Sequence, residues 1–288
     1  MPQTCSVCNS QIKPAIVAQL DALAVYECPE CRAESVHPLP TDAESSRAYD
    51  DFDAGRLARQ DFDQYVTCAE QVLREAIASA AEDSIASPYN AKDFLDYGCG
   101  GGHFVRAAQK LGLNAVGIEL DPVSVQLARE RGLDVRLGRL PGPDVLHGKL
   151  FHYVLSFHVL EHVTRPYETF HALVNHVQPN GRIFIGVPDQ TAFPSRVKKL
   201  LRLFGLKRNE WGYVQPPIHL HGFTPETLEV LGKKLRLGLR AIRHVSPLDA
   251  ASFPSTSEYW RRLPAHRLLY SFARLLRSPG YLFATYEK

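Results

Sequence analysis

The stretch Phe94-Leu95-Asp96-Tyr97-Gly98-Cys99-Gly100-Gly101-Gly102-His103-Phe104 carries the residue types that hold a nucleoside. A short apolar run ends at Asp96, breaks into glycines and continues into Val105-Arg106-Ala107-Ala108, the pattern of strand, tight loop and helix. Glycine lets the backbone turn with positive φ and lets a ligand touch the main chain, while the first turn of the helix offers N–H groups without partners. Such a cradle needs an acid about twenty residues further on to accept the hydroxyls of a ribose. Asn114-Ala115-Val116-Gly117-Ile118-Glu119 supplies it. No Gly-Lys-Ser/Thr follows the glycines, which excludes a P-loop, and the GxGxxG spacing of a dinucleotide fold is met only loosely.

A second set of residues points to a metal. Cys5 and Cys8, then Cys28 and Cys31, form two CxxC knuckles separated by nineteen residues, a spacing suited to four thiolates around one tetrahedral zinc ion. A redox motif needs only one such pair inside a thioredoxin-like unit, and none surrounds these. Ala22–Glu27 reads as a strand feeding the second knuckle, so residues 1–40 are expected to form a zinc ribbon with the ion as its core. Cys68 and Cys99 fall outside the spacing.

The glycine run resembles motif I of the class I S-adenosylmethionine (SAM) methyltransferases, and further matches follow in order. Gly117-Ile118-Glu119-Leu120-Asp121-Pro122 is similar to the family's second strand and ribose acid. Ser156-Phe157-His158-Val159-Leu160-Glu161-His162-Val163 resembles its fourth-strand signature. Gln178–Pro188 resembles the turn and fifth strand, and His219–Leu228 resembles a segment of the UbiG-like subgroup. The resemblance covers most of residues 90–287 and implies a doubly wound, mostly parallel seven-stranded α/β sheet, Rossmann-like, with SAM as cofactor. It places Asp96, Gly98, Gly100, Glu119, Leu120, Phe157 and His158 around that cofactor. The loop after the third strand lacks the usual acid, so Arg139 and Leu140 are expected to contact the adenine through backbone and apolar groups.

Methyl transfer from a sulfonium leaves the protein to position the acceptor, exclude water and remove a hydroxyl proton. The resemblance makes His219, expected to open a helix capping the acceptor pocket, the first base, with His162 second and His221 third. A hydrogen-bonded histidine holding a loop would use the same residues. Glu161 and His162 also match the metal-associated part of the UbiG-like motif, whereas His158 stands where that group carries an acid. The implied activity is O-methylation of a small polar or glycosidic acceptor. The alternatives are an RNA methyltransferase and a non-catalytic zinc-ribbon binding protein with a vestigial SAM fold.

Composition sets the frame for these elements. A chain of 288 residues with 45% hydrophobic residues can bury one α/β domain and an appendage. A net charge of +2 argues neither for nor against a nucleic-acid partner, but Asp21, Glu27, Glu30 and Glu34 against Lys13 and Arg32 give the ribbon the wrong sign for a phosphate backbone, so no nucleic-acid partner is expected. No signal-like or bilayer-length apolar run is present, which predicts a cytoplasmic protein. There, six cysteines read as ligands or free thiols rather than disulfides.

The expected order is a ribbon, a linker with a covering helix over 61–81 within residues 41–90, and a catalytic domain over 91–288. That domain alternates strands near 93–97, 114–118, 133–137, 152–157 and 181–187 with helices, adds a sixth strand at Leu239–Val245 and ends on an antiparallel strand at Gly280–Tyr286. Insertions fall near 190–220 and 250–279. Tyr49 and Phe52 are candidate aromatics over the site. Arg196–Phe204 and Trp260–Arg277 are basic and apolar together, a pattern read either as an amphipathic lid or as peripheral contact with an anionic membrane.

Overall fold

A computed structural model describes residues 3–11, 13, 15–41, 43–45, 61–78, 92–143, 145–206, 209–245 and 264–288. Tyr49, Phe52 and Trp260 lie outside them.

The catalytic part is a seven-stranded sheet in which the alternation seen in the sequence becomes right-handed crossovers. Its strands are β4 (Asp93–Tyr97), β5 (Asn114–Glu119), β6 (Val135–Leu137), β7 (Phe151–Phe157), β8 (Val177–Pro188), β10 (Gly238–Val245) and β11 (Tyr281–Glu287), in the order β10-β11-β8-β7-β4-β5-β6. Parallel pairing joins β4, β5, β6, β7 and β8, and β11 runs antiparallel between β8 and β10. Register decides which side chains can meet. Tyr97 lies opposite Ile118 on one side and Ser156 on the other, so β4, β5 and β7 end at one level.

The helices follow from local signals. The α1 helix (Phe62–Ala78) buries Tyr65, Val66, Ala69, Val72, Leu73, Ala76 and Ile77 at helical spacing and packs on α2 (His103–Lys110), as a covering helix should. Asp121 caps α3 (Pro122–Glu130), its carboxylate accepting the N–H groups of Val123 and Ser124, with Pro122 in the first turn. After α4 (Pro166–Asn175) and α5 (Phe193–Leu203), Thr224 and Thr227 form a capping box that starts α6 (Pro225–Lys234). The last helix, α7 (Pro264–Leu275), precedes β11. No helix among the described residues is long and apolar enough to cross a membrane.

The cysteine-bearing segment is not a bead on a tether. Its strands β1 (Ala15–Leu20), β2 (Leu23–Glu27) and β3 (Glu34–His37) form an antiparallel sheet that continues onto β9 (His221–Gly222). The Thr227 hydroxyl donates to the Cys31 carbonyl at 2.8 Å. Glu34, buried, accepts from Lys199 at 2.7 Å and from the Gln190 amide, and Gln190 also receives the Tyr213 N–H and the Ser195 hydroxyl. Two lysines of the basic segment are therefore turned inward, Lys199 on Glu34 and Lys198 toward Glu210 at 3.8 Å.

Tight packing fixes the end of β7. A Cβ built on Gly186 would lie 2.3 Å from the Phe157 ring, so only glycine lets β8 pass that close. Gly186→Ala should cost about 1–3 kcal/mol through forced displacement of Phe157. Urea unfolding checks this, and a loss below about 0.5 kcal/mol would contradict the packing.

Candidate active site

The glycine loop leaves β4 with Gly98, Gly100 and Gly102 at φ of +74°, +51° and +83°. Gly98 and Cys99 both donate their N–H to the Ile118 carbonyl, which folds the loop back over the end of β5. A Cβ on Gly98 would meet Val159 at 2.3 Å, whereas one on Gly100 would meet nothing within 4 Å. The loop is thus packed on one side against the segment after β7 and open above Gly100. Glu119, ending β5, spans the opening: Oε2 accepts from Gly100 N at 2.7 Å, and Oε1 accepts from Leu120 N at 2.6 Å and Asp121 N at 3.0 Å. Burial raises its pKa, with those three N–H groups pulling the other way. Asp96 is buried beneath the loop with Oδ2 unpartnered, and burial followed by the nearby Glu119 pushes its carboxyl well above the usual range.

The segment after β7 carries a histidine cluster organised by Glu161, which is fully buried. His158 follows β7 at φ +57°, held by its N–H to the Gly186 carbonyl. Its Nδ1 lies 3.0 Å from Glu161 Oε1. Burial alone would raise the Glu161 pKa, but His162, the hydrogen bond from His158 and His219 outweigh it and bring it to about 2. A carboxylate only accepts, so Nδ1–H of His158 points to Glu161 and Nε2 keeps a lone pair. The His158 side chain is 29% exposed, the outward member of an otherwise closed group.

His162 and His219 meet edge to face with centroids 4.7 Å apart. Each donates Nδ1–H to a backbone carbonyl, His162 to Ile218 at 3.1 Å and His219 to Tyr213 at 3.0 Å, leaving both Nε2 atoms as acceptors. Ligand atoms of Glu161, His162 and His219 lie within 4.8 Å of one another, so the three could hold a cation. Burial is the main cause of the lowered pKa of both rings, with His219 at about 3. His221 is different. Its Nε2–H donates to the Val163 carbonyl at 3.1 Å and its Nδ1 accepts the Ser35 hydroxyl at 2.8 Å, so no ring nitrogen is left for chemistry.

Three tyrosines roof this cluster. Tyr281 sits edge-on to His158 at 4.8 Å and stacks on Tyr213 at 6.1 Å, and the Tyr213 and Tyr270 hydroxyls are 3.1 Å apart. Burial pushes all three phenols up, Tyr270 to about 12, so they remain neutral donors.

Several expected positions change with the fold. His219 does not open a helix: it closes a turn with Gln215, β9 intervenes, and α6 begins at Pro225. His221 ties the cysteine-bearing sheet to the catalytic part. Leu140 is buried, its N–H and C=O both bound to the Tyr97 hydroxyl, so its backbone is already committed; Arg139 and Leu120 are exposed beside it and beside Glu119. Phe157 packs against His158 at 4.5 Å and Phe104 at 5.6 Å. The hub role of Glu161 was signalled only by its place beside His162 after a strand. The tyrosine roof comes from three separate segments, and no local pattern announces it.

The four cysteines at the other end are buried, with Cys5 and Cys31 sulfurs 3.9 Å apart and those of Cys8 and Cys28 3.8 Å apart. A tetrahedral ion with Zn–S near 2.3 Å would set sulfurs about 3.8 Å apart.

A profile of the family described as "Methyltransferase domain" matches residues 65–241. A mitochondrial ubiquinone biosynthesis O-methyltransferase of Schizosaccharomyces pombe is 31% identical over 113 residues, 36% of this chain and 40% of that protein. A ribosomal protein L11 methyltransferase of Laribacter hongkongensis is 32% identical over 133 residues, 45% and 41% of the two chains. The chain thus spans less than half the length of these relatives. Among solved structures, magnesium protoporphyrin IX methyltransferase from Synechocystis PCC 6803 superposes with a TM-score of 0.55 at 12% identity, covering 86% of this chain and all of that one. A Burkholderia thailandensis 1,6-didemethyltoxoflavin-N1-methyltransferase gives 0.53 at 17% identity, covering 96% and 99%. These likenesses establish the fold.

Acid should weaken the protein through its buried histidines. Folded His103 and His221 titrate at about 4 and His219 at about 3, below the 6.5 of the unfolded side chain, mainly because burial disfavours their charged forms. Below pH 6.5 the unfolded chain therefore binds protons that the folded chain refuses. Stability falls as pH drops from about 7 to 5, by about 1.4 kcal/mol per group for each pH unit inside the window. Thermal unfolding across that range checks it, with His103→Gln losing less than wild type; parallel curves would contradict the assignment.

Proposed function

The chain belongs to the methyltransferase-domain family, and from that premise we propose that it transfers a methyl group from SAM to a hydroxyl oxygen of a small acceptor, with His158 as the base. The observation that carries this reading is the His158–Glu161 hydrogen bond, with His158 partly exposed, in the segment whose Val159 packs against Gly98 of the glycine loop. Support for O-methylation comes from the relatives named as ubiquinone biosynthesis O-methyltransferases.

The residues fit the cofactor. Open space above Gly100, a carboxylate at the end of β5 and a buried, unpartnered Asp96 oxygen form the acidic, close-approach cradle that a cationic nucleoside needs. SAM supplies an electrophilic methyl group when bound. Glu119 would hold the ribose, and the loop backbone would hold the rest. The acceptor hydroxyl would lie against His158 Nε2, which would take the hydroxyl proton as the methyl group is transferred. Glu161 orients the ring and stabilises its positive charge, and the tyrosine roof excludes water. His219, at about 3, binds a proton too weakly to pull one from a hydroxyl near neutral pH, so its place is in holding the acceptor or a cation beside Glu161.

Calorimetry with S-adenosylhomocysteine tests the cradle: wild type binds, and Glu119→Ala binds about 10- to 100-fold more weakly. No binding to wild type sinks the reading. With an acceptor found by screening metabolite fractions, His158→Gln should lower kcat about 10²- to 10⁴-fold while leaving cofactor affinity in place.

The four-cysteine site is proposed to hold structural zinc. Protein purified without added metal should carry about one equivalent per chain, lost in the Cys28→Ser, Cys31→Ser double variant together with thermal stability. Less than about half an equivalent in wild type would remove the site.

A further inference from the structure

The outer faces of α5 and α7 are apolar in the wrong direction for a core. On α5, Arg196, Leu200 and Leu203 recur at i, i+4 and i+7 and face solvent, while Pro194, Ser195 and Lys198 face inward. On α7, Leu268, Phe272 and Leu275 repeat that spacing outward, with Tyr270 and Ala273 buried beneath. Exposure is far beyond ordinary surface leucines: 72% for Leu203, 73% for the adjoining Phe204 and 76% for Leu275. The two stripes join, because Phe193 of α5 meets Phe272 of α7 with centroids 5.5 Å apart. One continuous apolar face results.

Charge identifies what covers it. Neither helix contains an acidic residue, and Arg196, Arg274 and Arg277 stand exposed around the leucines. A second copy of this chain using the same patch would set cations against cations. Leucines, rather than a row of stacking aromatics, suit hydrocarbon better than unstacked bases. We propose that this face docks reversibly on an anionic phospholipid surface, leucines entering the acyl boundary and arginines meeting the headgroups. The proposal goes beyond the methyl-transfer reading and stands without it. The buried side of α7 carries Tyr270, whose hydroxyl meets that of Tyr213 and so joins the tyrosines stacked over His158; the docking face is the outside of that helix.

Co-sedimentation of the full chain with vesicles of phosphatidylcholine, with and without about 30 mol% phosphatidylglycerol, tests this. Wild type should pellet with the anionic vesicles and be released as salt rises from about 0.1 to 0.5 M. Leu203→Glu with Leu275→Glu should weaken association at least about tenfold, and Arg274→Glu with Arg277→Glu should weaken it and remove its salt sensitivity. S-adenosylhomocysteine affinity and the thermal midpoint should stay at their wild-type values. Serine at both leucine positions gives the same outcome if the glutamates disturb folding. Failure of wild type to bind anionic vesicles, binding indifferent to these changes, or a lipid-free dimer that Leu203→Glu dissociates would each overturn the proposal.

Discussion

One buried carboxylate ties the halves of this molecule together. Glu161 lies in the segment after β7, where its side chain gathers His158, His162 and His219. Its backbone carbonyl accepts the N–H groups of Leu220 and His221 at 2.8 and 3.2 Å, fixing the start of β9. β9 in turn completes the cysteine-bearing sheet by pairing with β3. A charge so deep needs compensation, which the hydrogen bond from His158 and the nearby His162 and His219 supply, while backbone carbonyls hold the latter two rings in place. The chemistry of the site and the attachment of the N-terminal sheet share one residue.

The second constraint is parallel register. Because β4, β5 and β7 stop at the same level, a glycine loop, an acid and a histidine spread over about sixty residues of chain leave the sheet at the same edge. Packing shapes that edge: Val159 fills the space that a side chain at Gly98 would need, and Phe157 fills the space beside Gly186. The cleft is shaped by where side chains are missing.

Much of this was legible in the residues. Period-two apolar runs, glycine breaks and acids at strand ends are local signals, and the sheet, its helices and the places of Asp96, Gly98, Gly100 and Glu119 follow from them. The cysteine spacing likewise announced four sulfurs on two turns. Tertiary choices were not legible. That His219 closes a turn ahead of β9 instead of opening a helix depends on a two-residue strand too short to carry a period. The commitment of Leu140 to Tyr97 depends on a hydroxyl 43 residues away. The inward turn of Lys198 and Lys199 was not legible either, because Glu210 and Glu34, their partners, lie in other segments.

The pairing of β3 with β9 carries a consequence for how this architecture can be rearranged. Residues near 35 and near 221 share a ladder, and Val25, Val36, Val214 and Leu220 share a small apolar cluster. Removing the first forty residues would not simply subtract an accessory. It would strip one side of His221–Gly222, leave an unsatisfied sheet edge beside uncovered valine and leucine, and offer a ready template for pairing with other chains. The N-terminal sheet thus also covers the β9 edge, so any shuffling of this unit between proteins must carry both pieces or replace the missing strand.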